Sequence, residues 1–310
     1  MVDQKHMVSP FNPTTIFLLD FLISILGLIL SVAFFTLVER KVMGLMHYRK
    51  GPNKVIIMGL TQPITDAIKL LTKEISKFSF VKILMFIMGP SLMMALMISC
   101  WGWFKYTYSM IPSEMMILLI LSIMSLSAYG FIMSSWGSNS KYSMLGGYRV
   151  VAQVISYEVC LFLFLLTLIF ISKTFMPEKL EMMQKGMWFM MFSMPLFISW
   201  MMLCMAESNR TPFDMAEGES EIVSGFNIEH SGNLFAFIFI SEYGMMIFLS
   251  FLTSLFFMGS PNLIKVLMIC MIFIWVRCCF PRMRYDKLMM VSWKTLLPYS
   301  LVMLTVSCTM

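Results

Sequence analysis

Residues 150–171 read VVAQVISYEVCLFLFLLTLIFI. The run exceeds the ~20 residues that a helix needs to cross the hydrocarbon core of a bilayer. Its single charge, Glu158, sits among apolar side chains. Similar apolar segments flank it at Ile16–Val38, Ile83–Phe104, Met115–Trp136, Met187–Met205, Leu234–Met258, Leu263–Cys279 and Leu288–Ser307. The whole chain of 310 residues is 59% hydrophobic and only 13% charged, with a mean hydropathy of +0.81. That charged share is about half of what a soluble domain carries, and so apolar a chain cannot cover its surface with polar groups. Soluble globular, disordered and fibrous classes are excluded. The expectation is an all-α polytopic membrane protein of about eight transmembrane helices, folded as a single helical bundle domain over residues 1–310. The first run is too long for the core of a signal peptide, and Glu39-Arg40-Lys41 follow it instead of a small-residue cleavage site.

Charge placement orients the bundle. Of the 23 Lys and Arg, 17 lie in or beside the loops after the first, third, fifth and seventh segments, from Arg40 through Lys294. The opposite side keeps Lys5, Lys105, Lys173, Lys179, Lys185 and Lys265. Basic loops stay on the side of synthesis, so these four loops face that side and both termini face the other.

Two of the inside loops carry more than orientation requires. In the first, Ile64, Ile68, Leu71, Ile75 and Phe78 recur at helical spacing, and Asp66, Lys69, Lys73 and Lys77 fall largely off that stripe. This predicts an amphipathic helix over about 61–78, lying on the membrane surface or under a partner, with Pro63 suited to its first turn. A basic membrane anchor explains the lysines but not Asp66, which gains nothing from anionic lipid. The loop at about 207–231, ESNRTPFDMAEGESEIVSGFNIEHS, gathers Glu207, Asp214, Glu217, Glu219, Glu221 and Glu229 around one arginine, Arg210. A solvated acidic loop is the plain reading. The interleaved Met215, Ile222, Val223, Phe226 and Ile228 argue instead for burial, where clustered carboxylates share protons.

Glu158 and Glu242 lie well inside apolar segments, and Asp20 lies near the end of one. A charge at mid-bilayer costs at least ~2.5–3.5 kcal/mol, so such residues face a bundle interior or a wet cavity. Each is read either as a neutral hydrogen-bonding contact between helices or as a station on a proton path. Gln153, Ser156 and Tyr157 are candidates to extend a hydrogen-bonded chain from Glu158. The seven Cys, at 100, 160, 204, 270, 278, 279 and 308, form no CxxC, and the His at 6, 47 and 230 lie outside the apolar runs. Zinc and iron–sulfur centres need several ligands at short spacing. No metal site and no haem is expected in this chain.

The strings VERKVMGLMHYRKGP, GLTQPITDAIKLLTKE, WGSNSKYSMLGGYRVVAQVISYEV, AESNRTPFDMAEGESEIVSGFN and FPRMRYDKLMMVSWK together resemble the chain 1 family of mitochondrial NADH-ubiquinone oxidoreductase. These are the core membrane subunits at the heel of respiratory complex I, and the likeness runs in order from about Thr36 to Pro298. The 37 Met also look like an animal mitochondrial gene. The resemblance implies a ubiquinone tunnel, opening from the mitochondrial inner membrane and closed above by hydrophilic iron–sulfur subunits. In that picture iron–sulfur clusters and FMN belong to partner subunits, and this chain holds no redox centre and supplies no catalytic side chain. Neighbouring membrane subunits of the pumping arm and lipid such as cardiolipin complete the partners, and nucleic acid is not among them. The residues matching the family's tunnel and its mouth are Glu39, Arg40, Asp66, Arg149, Arg210, Phe226, Arg277, Arg282 and Arg284. Those matching its proton path are Glu158, Glu207, Asp214, Glu217, Glu219, Glu221, Glu229 and Glu242. Two other readings remain open from the residues alone. One is a homologous subunit of a proton-translocating hydrogenase-type complex. The other is an ion-coupled transporter, although no inverted repeat supports it.

Overall fold

The structure is a computed structural model and describes residues 13–74, 80–103, 116–214 and 225–309. All regular elements among them are helical. The principal helices are α1 (Pro13–Met46), α2 (Gln62–Thr72), α3 (Ile83–Trp103), α4 (Met116–Ser125), α5 (Ser127–Ser138), α6 (Lys141–Ser172), α7 (Pro177–Met183), α8 (Met194–Glu207), α9 (Gly232–Met258) and α10 (Leu263–Cys279). The last, α11 (Tyr285–Thr309), contains a π turn at Val291–Leu296. Pro298 follows that turn. Its ring would collide with the carbonyl four residues back, and the wider turn gives it room.

Among the described residues, six helical segments are long and apolar enough to cross a membrane: Phe21–Met46, Ile83–Gly102, Met116–Ser138, Lys141–Ser172, Gly232–Met258 and Tyr285–Thr309. The sequence led to an expectation of about eight. The fifth expected segment is interrupted at Ser193, where the chain leaves the helical region ahead of Met194-Pro195, so α8 has only 14 residues. The seventh, α10, has 17 residues and is closed off by Pro261 and Pro281. The fold is therefore an all-α, multi-pass membrane bundle with two shorter apolar helices.

Two packing regions hold the bundle. Around α8, α9, α10 and α11 the core is made of large side chains, among them Trp200, Phe164, Phe248 and Phe257, all fully buried. Between α3 and α5 the helices instead meet backbone to backbone. A methyl group on Gly89 would lie 2.5 Å from the Ser134 nitrogen, and one on Gly137 would lie 2.5 Å from that of Phe86. Small residues permit this approach where lipid supplies no hydrophobic drive.

The amphipathic helix forms but is shorter than the pattern implied. It ends at Thr72, with Lys73 already extended, whereas the stripe predicted continuation to residue 78. Gly232, at positive φ, packs against the carbonyl oxygens of Leu70, Lys73 and Glu74, so tertiary packing takes up the helix end. Ile75, Lys77 and Phe78 lie outside the described residues. Ile64, Ile68 and Leu71 are exposed, and the apolar stripe points away from the bundle.

Candidate functional site

The charges borne by the helices converge where α1, α9 and α10 meet the chain leaving α8. Glu39, on α1, is only 3% exposed. The Arg277 guanidinium donates to its Oε1, and the Tyr243 hydroxyl donates to its Oε2 at 2.6 Å. Each carboxylate oxygen thus has its own donor, the condition under which a buried charge is tolerated. Arg277 stands in the last turn of α10 because Phe280, the residue before Pro281, is extended, as a residue ahead of proline prefers.

Arg210 follows the last turn of α8. Its guanidinium centre lies 4.1 Å from the centroid of the Tyr243 ring, and Nη2 lies 3.9 Å from Glu242 Oε2. Both side chains of that ion pair are nearly buried. Arginine keeps its charge under burial and stacks on aromatic faces.

Two cavities flank this cluster. The smaller, of about 10 Å3, is bounded by Glu39, Ser208, Arg210, Thr211 and Arg277 and is at the lower limit for one water. The larger, of about 40 Å3, is bounded by Ser127, Glu207, Ser208, Asn209, Ser241 and Glu242 on its polar side, with room for a few waters. Glu207 Oε2, Asn209 Oδ1 and Ser127 Oγ have no protein hydrogen-bond partner there. Three orphaned polar atoms around one void favour water in it. Glu158 approaches Glu207 closely enough for the two carboxylates to repel.

Outer pairs surround the centre. Arg40 Nη1 donates to Asp66 Oδ2 at 2.9 Å, and Gln62 donates to Asp66 Oδ1 at 2.8 Å. That pair explains the acid among the lysines of α2. Arg282 lies 3.4 Å from Asp214, and the Met283 N–H donates to Pro212 O at 3.0 Å, tying the segment after α10 to the loop after α8. Arg284 pairs with Asp286 at the surface. Arg149 and Glu229 are half-buried. Phe226 is fully buried edge-on against Phe131 and is not among the residues bounding either cavity. Glu217, Glu219 and Glu221, with Met215, Ile222 and Val223, lie outside the described residues.

The expected chain of Gln153, Ser156 and Tyr157 does not extend from Glu158. Gln153 donates to the carbonyls of Ala206 and Phe213 at 3.0 and 2.9 Å. Tyr157 donates to Leu288 O at 3.1 Å, and Ser156 to Gln153 O within its own helix. Residues 153, 156 and 157 share one face of α6, turned toward α8 and α11, and Glu158 lies about 100° further round. Gln153 instead bridges the Ala206 carbonyl in the last turn of α8 to the Phe213 carbonyl in the loop beyond, and so braces the turn that presents Glu207 and Arg210.

Two residues were missed in the sequence. Tyr243 joins Glu39 to Arg210, and the only hint was its place directly after Glu242. His230 is 6% exposed and stacked on Phe86, ring centroids 4.2 Å apart. Burial pushes its imidazole down to about 4, against a backbone contact to Ser134 that raises it, so the ring is neutral at physiological pH.

A sequence model of the family described as NADH dehydrogenase matches residues 19–308, beyond both ends of the stretch that the five motifs covered. NADH-ubiquinone oxidoreductase chain 1 of Aedes aegypti is 45% identical over 295 residues, 91% of this chain and 94% of that one. The protein of the same name from Rhipicephalus sanguineus is 45% identical over 289 residues, 93% and 92% of the two chains. The one from Balaenoptera physalus is 42% identical over 299 residues, 93% and 94%.

Proposed function

The chain belongs to the NADH dehydrogenase family, and from that membership we propose that it lines the ubiquinone-access tunnel of complex I and passes the charge change of quinone reduction to a proton path. It is a multi-pass membrane subunit of an NADH-ubiquinone oxidoreductase complex. The observation that carries the finer reading is the cluster of Glu39, Arg277, Arg210 and Glu242, flanked by two small cavities that its carboxyl and guanidinium groups help to bound. Residues that the family likeness assigned to the tunnel and to the proton path meet there in one network.

In this reading ubiquinone is the substrate, and its electrons come from iron–sulfur clusters held, like FMN, by partner subunits. Two-electron reduction of a quinone takes up two protons and alters the charge beside the arginines. Arg277, one quarter exposed, and the more exposed Arg282 are the cations placed to meet an anionic headgroup. One unit charge about 10 Å away, at an effective dielectric near 20, is worth about 1.7 kcal/mol to a carboxylate, roughly one pKa unit. Glu242 and Glu207, which bound the larger cavity, and Glu158 beside Glu207 are the acids that such a change biases in turn. The proton path continues into Glu217, Glu219, Glu221 and Glu229 of the acidic loop. The basic loops face the mitochondrial matrix, and both termini face the intermembrane space of the inner membrane. Cardiolipin is the lipid that the basic flanks suit.

The test is isolation of the assembly from native membranes, followed by NADH:ubiquinone turnover and proton uptake in proteoliposomes. Copurifying flavin and iron–sulfur subunits, with quinone reduction coupled to proton movement, support the reading. A chain recovered with hydrogenase subunits, or quinone reduction without proton movement, removes it.

A further inference from the structure

We propose that Tyr243 is the positioning residue that couples Glu39 to Glu242, so that the charge state of the tunnel carboxylate is felt at the intramembrane carboxylate. The proposal rests on the preceding functional reading and names the part that transmits. Tyr243 uses its two chemical ends on two different partners. Its hydroxyl donates to Glu39 Oε2 at 2.6 Å, and the face of its ring lies under Arg210 at 4.1 Å. Arg210 in turn is 3.9 Å from Glu242. Glu242 is the next residue on α9, but the helix turns it about 100° away, so the backbone link does not itself bring the two carboxylates into contact.

The chemistry of the hydroxyl makes this arrangement responsive. A carboxylate accepts the tyrosine proton strongly at either oxygen, whereas a carboxyl group protonated on Oε2 is a much weaker acceptor there. When Glu39 takes up a proton, the Tyr243 hydroxyl loses its charged acceptor and the ring is released from one of its two anchors. Arg210 stands just beyond direct hydrogen-bond distance from Glu242. A small displacement of the ring beneath it therefore makes or loses a charge-assisted bond. The edge-on contact with Phe35, 6.0 Å between centroids, holds the other side of the ring. A phenylalanine would satisfy the packing and the cation–π contact equally well, and only the hydroxyl reaches Glu39.

The experiment compares the intact complex carrying wild-type chain, Tyr243→Phe, Tyr243→Leu, Glu39→Gln and the Tyr243→Phe/Glu39→Gln double variant. Short-chain ubiquinone is the substrate. Tyr243→Phe is expected to lower kcat about tenfold, the scale of one hydrogen bond to a charged group, with the quinone KM unchanged and assembly intact. Tyr243→Leu, which also removes the ring from under Arg210, lowers kcat further. In the Glu39→Gln background, Tyr243→Phe should add nothing, because the charge it reports is already gone. Wild-type kcat in Tyr243→Phe, a raised KM at unchanged kcat, or additive losses in the double variant would each overturn the coupling role. Absence of inhibitor-sensitive quinone reduction in the wild-type complex would instead remove the functional reading beneath it.

Discussion

Glu39, buried, and Glu207, half-buried, both lie near the ends of apolar helices, yet their surroundings differ in kind. Glu39 has a donor on each oxygen, one of them a guanidinium. Glu207 faces a wet cavity, has one oxygen without a protein partner, and sits near another carboxylate, Glu158. One guanidinium and one hydroxyl hold the first carboxyl group in place. The second faces a cavity with room for water and has a carboxyl neighbour but no cation partner among the described residues, an arrangement that favours proton exchange. In a low-dielectric interior the partners of an acid, more than its depth, decide whether it braces the structure or carries protons.

The sharpest way to break this contrast is to remove the cation. Arg277→Ala leaves Glu39 buried with a single donor, and breaking a buried pair costs about 3 kcal/mol or more. A large loss of assembled complex is expected on native gels. In what remains, quinone reduction should fail while flavin-site reduction of an artificial acceptor survives. The Arg277→Ala/Glu39→Ala double variant should assemble better than Arg277→Ala alone. If it does not, Glu39 is not held by that pair.

Glu207→Gln asks the opposite question, because its effect should fall on function and spare stability. The amide fills the same space and can bond to cavity water but cannot release a proton. Turnover and proton uptake should drop together by about tenfold or more, within the range for a lost acid–base group, at near-normal assembly. Glu158→Gln should act in the same direction, and Glu158→Asp should retain part of both activities. Unchanged turnover and proton-to-electron ratio in Glu207→Gln would make it a packing residue like any other.

A smaller effect is expected at the rim. Arg282 is 44% exposed in its pair with Asp214, and solvent-exposed pairs contribute about 0–1 kcal/mol. Arg282→Ala should leave thermal inactivation almost unmoved and fade into wild-type behaviour at high salt. A loss as large as that of Arg277→Ala would mean that the two arginines act as one unit.

The smallest effect belongs to His230, a buried titratable group with no carboxylate pairing. Its folded value, about 4, lies below its ordinary 6.5. The unfolded chain therefore binds the proton more readily, and stability falls as pH drops from 6.5 toward 4. Heat inactivation at pH 5.5 should be faster than at pH 7.5 by a factor of a few, and His230→Phe should lessen that difference. Equal acid sensitivity in both proteins would place the effect on the carboxylates.

Most of the bundle was legible because bilayer crossing leaves a long, unambiguous signature, as in residues 150–171. One segment was drawn too long for a local reason: Pro195 lies inside a stretch that hydropathy alone joins, whereas the short seventh segment, Leu263–Cys279, coincides with α10. The apolar stripe did not announce the extended Lys73 that ends α2 at Thr72, since the packing of Gly232 against that end comes from 160 positions later. The acids themselves were visible as costly residues in apolar runs. Their partners were not. Glu39 and Arg277 are 238 positions apart, and Glu39 and Tyr243 are 204 apart, distances over which no periodicity speaks. Gln153 looked like a relay member because it is polar and near Glu158, and its true engagement with Ala206 and Phe213 follows from which face of α6 meets α8.

The close seam between α3 and α5 bears on how this chain can vary over generations. Nothing at Gly89 or Gly137 touches a charge, yet a single added methyl would act as a wedge against the backbone of the neighbouring helix. Phe86, which borders that seam, also carries the stacked His230, so the wedge would be felt in the segment leading into α9. Inherited changes at these glycines should therefore surface as scarcity of assembled complex, with the molecules that do assemble turning over at a normal rate. Changes around Glu207 should do the reverse and leave a full complement of slow machines.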